Sequence, residues 1–278
     1  MMELFTEIPL WLTLSIAFGF GIIIGSFLNV YIYRFHTGKS ISGHSHCLSC
    51  GKSLAFYDLV PLLSYLGLRA RCRKCKAVIP VRYFLVEALT GLLFVVVALT
   101  ATDWFLLLLL AVVVSILVVI AVYDLYHFII PDEFVVSLSV LALLYQGHTL
   151  LGAGSPGDFF ASLGVAFLGS LFLFFLWYGS DGKWIGFGDV KLAFPLGLLA
   201  GSASVFSMIV LSFWSGAIIG LLLLLVQYIK RRGQKHLRFV PARFTMKSAV
   251  PFAPFLILGF LQVFFFGTDV IALLSYAY

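Results

Sequence analysis

Charge is scarce in this sequence. Asp, Glu, Lys and Arg make up 11% of its 278 residues, against about 25% in an ordinary soluble domain. So few charges cannot cover the surface of a soluble protein of this size, which excludes a soluble enzyme, a disordered chain and a secreted disulfide scaffold. Strict polar/apolar alternation is also missing, and that argues against an outer-membrane barrel. Lys and Arg are absent before Arg34, while Glu3 and Glu7 stand near the start. A cleavable signal peptide opens with positive charge, so the first apolar segment is expected to be retained. Cysteine is confined to four positions in one polar segment. Internal repeats and low-complexity linkers are not evident.

Apolar residues fill the space these absences leave. They account for 62% of the chain, with a mean hydropathy of +1.09. A spanning helix needs about 20 apolar residues. Runs of that kind are read at 9–33, 83–101, 105–123, 134–152, 159–179, 190–206, 207–229 and 250–270. The expected fold is all-α, a polytopic membrane protein of about eight transmembrane helices.

The net charge is +6, and its placement is informative. The 18 basic residues fall between Arg34 and Arg82, at Lys183 and Lys191, and between Lys230 and Lys247. Lys and Arg are retained on the cytoplasmic side of a membrane. With the N-terminus outside, the segments 34–82, 124–133, 180–190 and 230–249 all become cytoplasmic. The outside turns near 102–104, 150–158 and 205 carry no basic residue. Orientation explains the basic loops without a nucleic-acid partner, so none is expected; membrane lipid is the expected surroundings.

Segment 34–82 holds Cys47 and Cys50 in one C-x-x-C and Cys72 and Cys75 in another. Two such knuckles at this separation fit a tetrahedral four-cysteine zinc site. Such a site is closed to water and therefore structural. Arg71, Arg73, Lys74 and Lys76 stand beside it and favour thiolates. Two other readings stay open: unligated thiols in a reducing compartment, and thiol–disulfide exchange, which needs the oxidising face. His46, next to Cys47, reads as a spectator.

Acidic residues close to a membrane are expensive and usually have a purpose. Asp124 ends an unbroken apolar run, and Asp189 closes Gly186-Phe187-Gly188-Asp189 just before the next. Two carboxylates from different helices in a partly dry site suit aspartyl proteolysis. Close carboxylates cannot both ionise cheaply, so the pair shares one proton. The alternative is that both only cap helix ends. Asp132, after Pro131, reads as an N-cap, and Asp181, in Ser180-Asp181-Gly182, as a turn residue. Glu87 inside the second span is either an ion-pair partner of Arg34 or Arg82, or the acceptor of an amine or cofactor group. Asn29 is expected to bond between helices. Lys191 either biases the aspartates or snorkels to the interface.

These motifs together resemble the type IV prepilin peptidases, membrane aspartyl proteases of the G-x-G-D type. The resemblance runs nearly end to end. It includes Gly25-Ser26-Phe27-Leu28-Asn29-Val30-Tyr31-Ile32-Tyr33-Arg34, both C-x-x-C pairs, Pro61-Leu62-Leu63-Ser64-Tyr65-Leu66, and Arg82-Tyr83 with Glu87. It continues through Asp124 with Ile130-Pro131-Asp132, Gly186-Phe187-Gly188-Asp189-Val190-Lys191, and Val250-Pro251-Phe252-Ala253-Pro254-Phe255. One departure is the missing proline in Cys47-Leu48-Ser49-Cys50.

The resemblance implies that Asp124 and Asp189 are the catalytic pair. It implies cleavage of the basic leader of type IV prepilins or type II secretion pseudopilins, at the cytoplasmic face of the bacterial inner membrane. Bifunctional members then N-methylate the new terminus with S-adenosylmethionine, an activity tied to the cysteine loop. On this basis residues 1–101 form a methyltransferase part and 102–278 the peptidase core. The alternatives are a peptidase only, with a structural zinc loop, or a proton-coupled transporter. No glycine-rich fingerprint marks a cofactor pocket.

Overall fold

The computed structural model describes residues 9–35, 43–152, 154–231 and 250–275. Most of the basic segment 230–249, expected in the cytoplasm, lies outside the described residues. Among the described residues ten α-helices follow one another: α1 Leu10–Arg34, α2 Leu63–Gly67, α3 Arg82–Thr100, α4 Trp104–His127, α5 Asp132–Gly152, α6 Pro156–Gly179, α7 Phe187–Ala200, α8 Val205–Arg231, α9 Ala253–Phe266 and α10 Val270–Ser275. Among the described residues there is no strand, only two isolated bridge pairs in the cysteine loop.

Helices α1, α3, α4, α5, α6 and α8 are long and apolar enough to cross a membrane. The other two apolar runs form the short helices α7 and α9, of 14 residues each. At 1.5 Å per residue such a helix covers about 21 Å, less than a hydrocarbon core of about 30 Å. Apolar length in the sequence thus overstates helix length, because flanking turns borrow apolar residues. At α7, Gly201 follows the helix with a φ of 82°, where the absence of a Cβ lets the chain turn away.

The chain divides into two compact units, Met1–Val122 and Tyr123–Tyr278. In the first, α1 and α3 pack along each other. Close approach depends on glycine: a Cβ at Gly21 would lie 2.8 Å from the Cα of Gly91, and one at Gly25 2.8 Å from the Cα of Glu87. Small residues let backbones meet where lipid supplies no hydrophobic drive between helices. Asn29 adds the expected interhelical bond, its Nδ2 donating to the Tyr83 carbonyl at 3.0 Å.

In the second unit α7 packs against α5, α6 and α9, and α8 against α9. Most of α7 is buried, so this short helix is the centre of the unit. Gln146 of α5 donates to the Leu198 carbonyl near the end of α7. Among the described glycines the tightest setting is at Gly259 of α9, where a Cβ would lie 2.2 Å from the Ser212 hydroxyl and 2.4 Å from the Met208 carbonyl oxygen on α8. A backbone oxygen cannot step aside as a side chain can. Gly259→Ala is therefore expected to cost about 1–3 kcal/mol, as overpacking does. The check is the thermal midpoint in detergent, and an unchanged midpoint would contradict this packing.

Candidate active site

Asp124 stands one turn before the end of α4. The helix stops because Phe128 takes a left-handed φ of 55° and its N–H closes on the Asp124 carbonyl at 2.9 Å. Pro131 then forbids continuation. Asp189 lies in the first turn of α7. Its Oδ2 accepts the N–H of Gly186 at 3.2 Å, and its own N–H returns to the Gly186 carbonyl at 3.1 Å. The two glycines work by space, since Gly186 keeps an ordinary φ of −74°. A Cβ at Gly186 would sit 3.3 Å from the Asp189 carboxylate, and one at Gly188 3.1 Å from the Cβ of Ile130. Gly188 thus lets the start of α7 settle against the segment that follows α4.

Both aspartates are buried, 5% and 6% exposed. They belong to the same unit and lie within Coulombic reach of each other. The backbone N–H of Ala253, at the start of α9, bonds the Asp124 carboxylate. First-turn N–H groups of a helix have no partner within it, so this one is available. The two carboxylates are held alike. Each has a backbone N–H on it, and each keeps a buried oxygen without a hydrogen-bond partner among the described residues: Oδ2 of Asp124 and Oδ1 of Asp189. A buried carboxylate oxygen left unpaired is costly. Here two such atoms come from the ends of two helices.

The other acids sort differently. Asp132 is the first residue of α5 rather than its N-cap, and its carboxylate pairs with Lys191. Lys191, whose ammonium also lies 5.5 Å from the Phe187 ring centre, is therefore engaged by Asp132. Asp181 is a turn residue as expected, with a φ of 51°, and is paired loosely with Lys183 at 3.7 Å. Glu87 does not form the expected ion pair with Arg34 or Arg82. Its carboxylate receives the Leu62 N–H at 2.8 Å and a bond from Ser26. The N–H groups of Ala253 and Leu62 were not foreseen as site groups. Pro254 marks a helix start and was a usable signal for the first; the second depends on a loop fold that no local pattern announces.

All four cysteines of the 34–82 segment come together, with sulfurs within 4.8 Å of one another. Two matching hairpins, offset by 25 residues, build the cluster. Cys47 N–H bonds the Lys52 carbonyl as Cys72 N–H bonds that of Ala77, and Gly51 N–H returns to Cys47 as Lys76 N–H returns to Cys72. Gly51 and Lys76 both take a left-handed φ, 67° and 59°. The loop therefore contains a structural repeat that the amino-acid sequence conceals, because only the cysteines and the turn geometry are shared. The absence of proline in the first knuckle does not prevent the turn. The N–H groups of Ser49 and Cys50 lower the Cys47 thiol from 9.0 to about 6, which favours the thiolate. The Cys47 and Cys75 sulfurs are 3.7 Å apart, close to the edge of about 3.8 Å for a tetrahedron with 2.3 Å metal–sulfur bonds.

Comparison with known proteins gives two family models. The bacterial peptidase A24 N-terminal domain matches residues 20–101, and the type IV leader peptidase family matches residues 111–221. A prepilin leader peptidase/N-methyltransferase from Myxococcus xanthus is 38% identical over 213 residues, covering 75% of this chain and 62% of that protein. One from Aeromonas salmonicida is 34% identical over 257 residues, covering 82% and 86%. One from Burkholderia pseudomallei is 29% identical over 308 residues, covering 98% and 91%. No solved structure matches. With both family models and relatives of one kind aligned along most of its length, this multi-helix chain belongs to the type IV leader peptidase family.

Proposed function

We propose that the protein is a membrane aspartyl endopeptidase that removes the leader of type IV prepilins or pseudopilins, with Asp124 and Asp189 as its catalytic pair. The carrying observation is the matched setting of the two buried carboxylates, each fixed by one backbone N–H and each with one oxygen open. Between them they hold one proton. The ionised member takes a proton from water as the water oxygen bonds to the peptide carbon. The protonated member donates to the carbonyl oxygen. When the carbon–nitrogen bond breaks, the leaving amine takes a proton from the pair and the gem-diol returns a hydroxyl proton to it, so the pair again holds one proton. Family membership makes the chain an enzyme, and a proton-coupled transporter has no support.

The names of the relatives pair cleavage with N-methylation. On our reading residues 1–101 carry the methyltransferase part and 102–278 the peptidase core. Bound S-adenosylmethionine would supply the methyl group, and this chain's residues would hold the new terminal amine. Zinc fits the cysteine cluster in donor type and spacing. Cys47, Cys50, Cys72 and Cys75 would hold it, and it would fix the two hairpins against each other without taking part in hydrolysis. A peptidase with a purely structural loop is the second reading.

The test is the mass of a co-expressed prepilin. Loss of the leader, with one added methyl group on the new terminus, is the expected result; an unshortened product would contradict the peptidase assignment. The charge pattern supports a site at the cytoplasmic face, and the family resemblance implies the bacterial inner membrane. Single cysteines introduced at 103 and 155 are then expected to react with an impermeant label from outside. Those at 60 and 183 are expected to react only after the membrane is opened. The reverse pattern would overturn the orientation.

A further inference from the structure

The first unit contains a cavity of about 520 Å³, within the range of about 300–1,000 Å³ usual for small-molecule sites. It lies where the end of α1 and the start of α3 meet the cysteine loop. Ser26, Asn29 and Tyr33 line it from α1, and Tyr83 and Glu87 from α3. Glu87 is 9% exposed. Its two contacts, the Leu62 N–H and Ser26, supply hydrogen bonds but no positive charge. A carboxylate this buried normally has a counter-charge.

The position of Glu87 is enforced from two sides. Gly25 presses on its backbone, leaving 2.8 Å for a would-be Cβ. On the other side Leu62 holds a φ of 57° and a ψ of −50°, which an L-residue rarely adopts, while delivering its N–H to the carboxylate. Backbone strain of this kind persists where the surroundings over-determine it, and it clusters at ligand sites. The remaining acid of the lining, Asp58, is taken by Arg73 at 2.9 Å. Asn29 spends its amide N–H on Tyr83, and its carbonyl oxygen is an acceptor. Arg34 at the end of α1 is a half-buried lining residue and makes no ion pair with Glu87, and Lys52, Arg73 and Lys74 are exposed lining residues. Glu87 is therefore the buried charge of the lining, while its cations are half-buried or exposed.

We infer that this cavity binds an organic cation, an ammonium or a sulfonium, with Glu87 as its counter-charge. The inference rests on the methyltransferase reading, whose two reactants both carry that chemistry. The cleaved pilin presents a terminal ammonium, and S-adenosylmethionine carries a sulfonium and an α-ammonium. The exposed lysines suit the carboxylate of an amino acid. The Tyr83 ring in the lining already takes a cation, the Arg82 guanidinium lying 5.0 Å from its centre.

The experiment is calorimetric titration of the full-length protein in detergent, for the parent and for Glu87→Gln. The probes are S-adenosylmethionine, S-adenosylhomocysteine, a short peptide with a free terminal amine and its acetylated twin. Glu87→Gln is expected to weaken binding by at least about tenfold, as loss of a buried charge partner does, while zinc content and prepilin cleavage stay at parent levels. Weakening for S-adenosylmethionine but not for the homocysteine form assigns the sulfonium. Weakening for the free peptide, with its acetylated twin not binding, assigns the amine. Equal affinities for both chains overturn the site, even if the parent methylates. A parent that transfers no methyl group yet binds the amine through Glu87 keeps the site and overturns the methyltransferase reading. A measurement on the parent alone covers failure of the variant to fold. Saturating S-adenosylmethionine or free-amine peptide is expected to slow carbodiimide labelling of Glu87. Unaltered labelling with both would also overturn the inference.

Discussion

Asp124→Asn and Asp189→Asn are each expected to stop leader removal, in protein that still inserts and keeps its thermal midpoint within a few degrees. Asn preserves size and can still accept the N–H of Ala253 or Gly186 that holds each carboxylate. It cannot exchange the shared proton. Loss of a general acid or base alone costs about 10²–10⁴-fold. The carboxylates act as one unit, so the double variant is expected to fall little below either single one. The pH profile of cleavage is expected to be bell-shaped and to report the pair, not either residue. Asp132→Asn removes only a pairing with Lys191 in which the Asp132 side chain is 71% exposed, a class of contact worth about 0–1 kcal/mol. It is expected to leave cleavage near the parent rate. The measurement is the initial rate of shortening of a purified prepilin. Near-parent turnover by either Asn variant at 124 or 189 would remove that aspartate from the mechanism.

Replacing Cys47 and Cys72 by serine is expected to empty the metal site. The parent is expected to hold about one zinc per chain, as a single four-cysteine centre requires, and the variant close to none. Structural zinc contributes directly to folding in small domains, where apparent binding energies reach about 10–16 kcal/mol. The two hairpins have little apolar core of their own: Cys72 is buried, while Leu48 and Val78 are exposed. Loss of the metal is therefore expected to unfold this loop. Cleavage is expected to survive to a much greater degree than methylation, because both aspartates belong to the other unit. Metal analysis and the two activities on one preparation check this. Metal content unchanged in the variant would refute the ligand set.

The positions of the apolar helices were legible in the sequence because each is its own hydrophobic run, and the run ends at charge, glycine or proline. The shortness of α7 and α9 was less legible, since a turn in a membrane protein can be as apolar as the helix beside it. Asp124 and Asp189 stood out chemically, as acids at the borders of apolar runs. Asp132 is the first helical residue where the local sequence suggests a cap, and its pairing with Lys191, 59 residues on, has no local signal. Glu87 was open to two readings, and the ion pair, read from the nearness of Arg82 in the chain, is not what formed.

What the sequence alone determined is the set of parts: an all-helical membrane chain, two metal-type knuckles, two border aspartates and the family motifs that contain them. Each is carried by composition or by spacing within a few residues, so no contact across the fold is needed to see it. How those parts are held depends on packing between segments far apart in the chain. The N–H of Ala253 reaches Asp124 from 129 positions away in the chain, and Leu62 reaches Glu87 across 25. Backbone donors carry no side-chain identity and leave no trace in the residue pattern. They become site groups only when packing, set here by glycines against backbone atoms, brings a helix start or a strained loop up to a buried carboxylate.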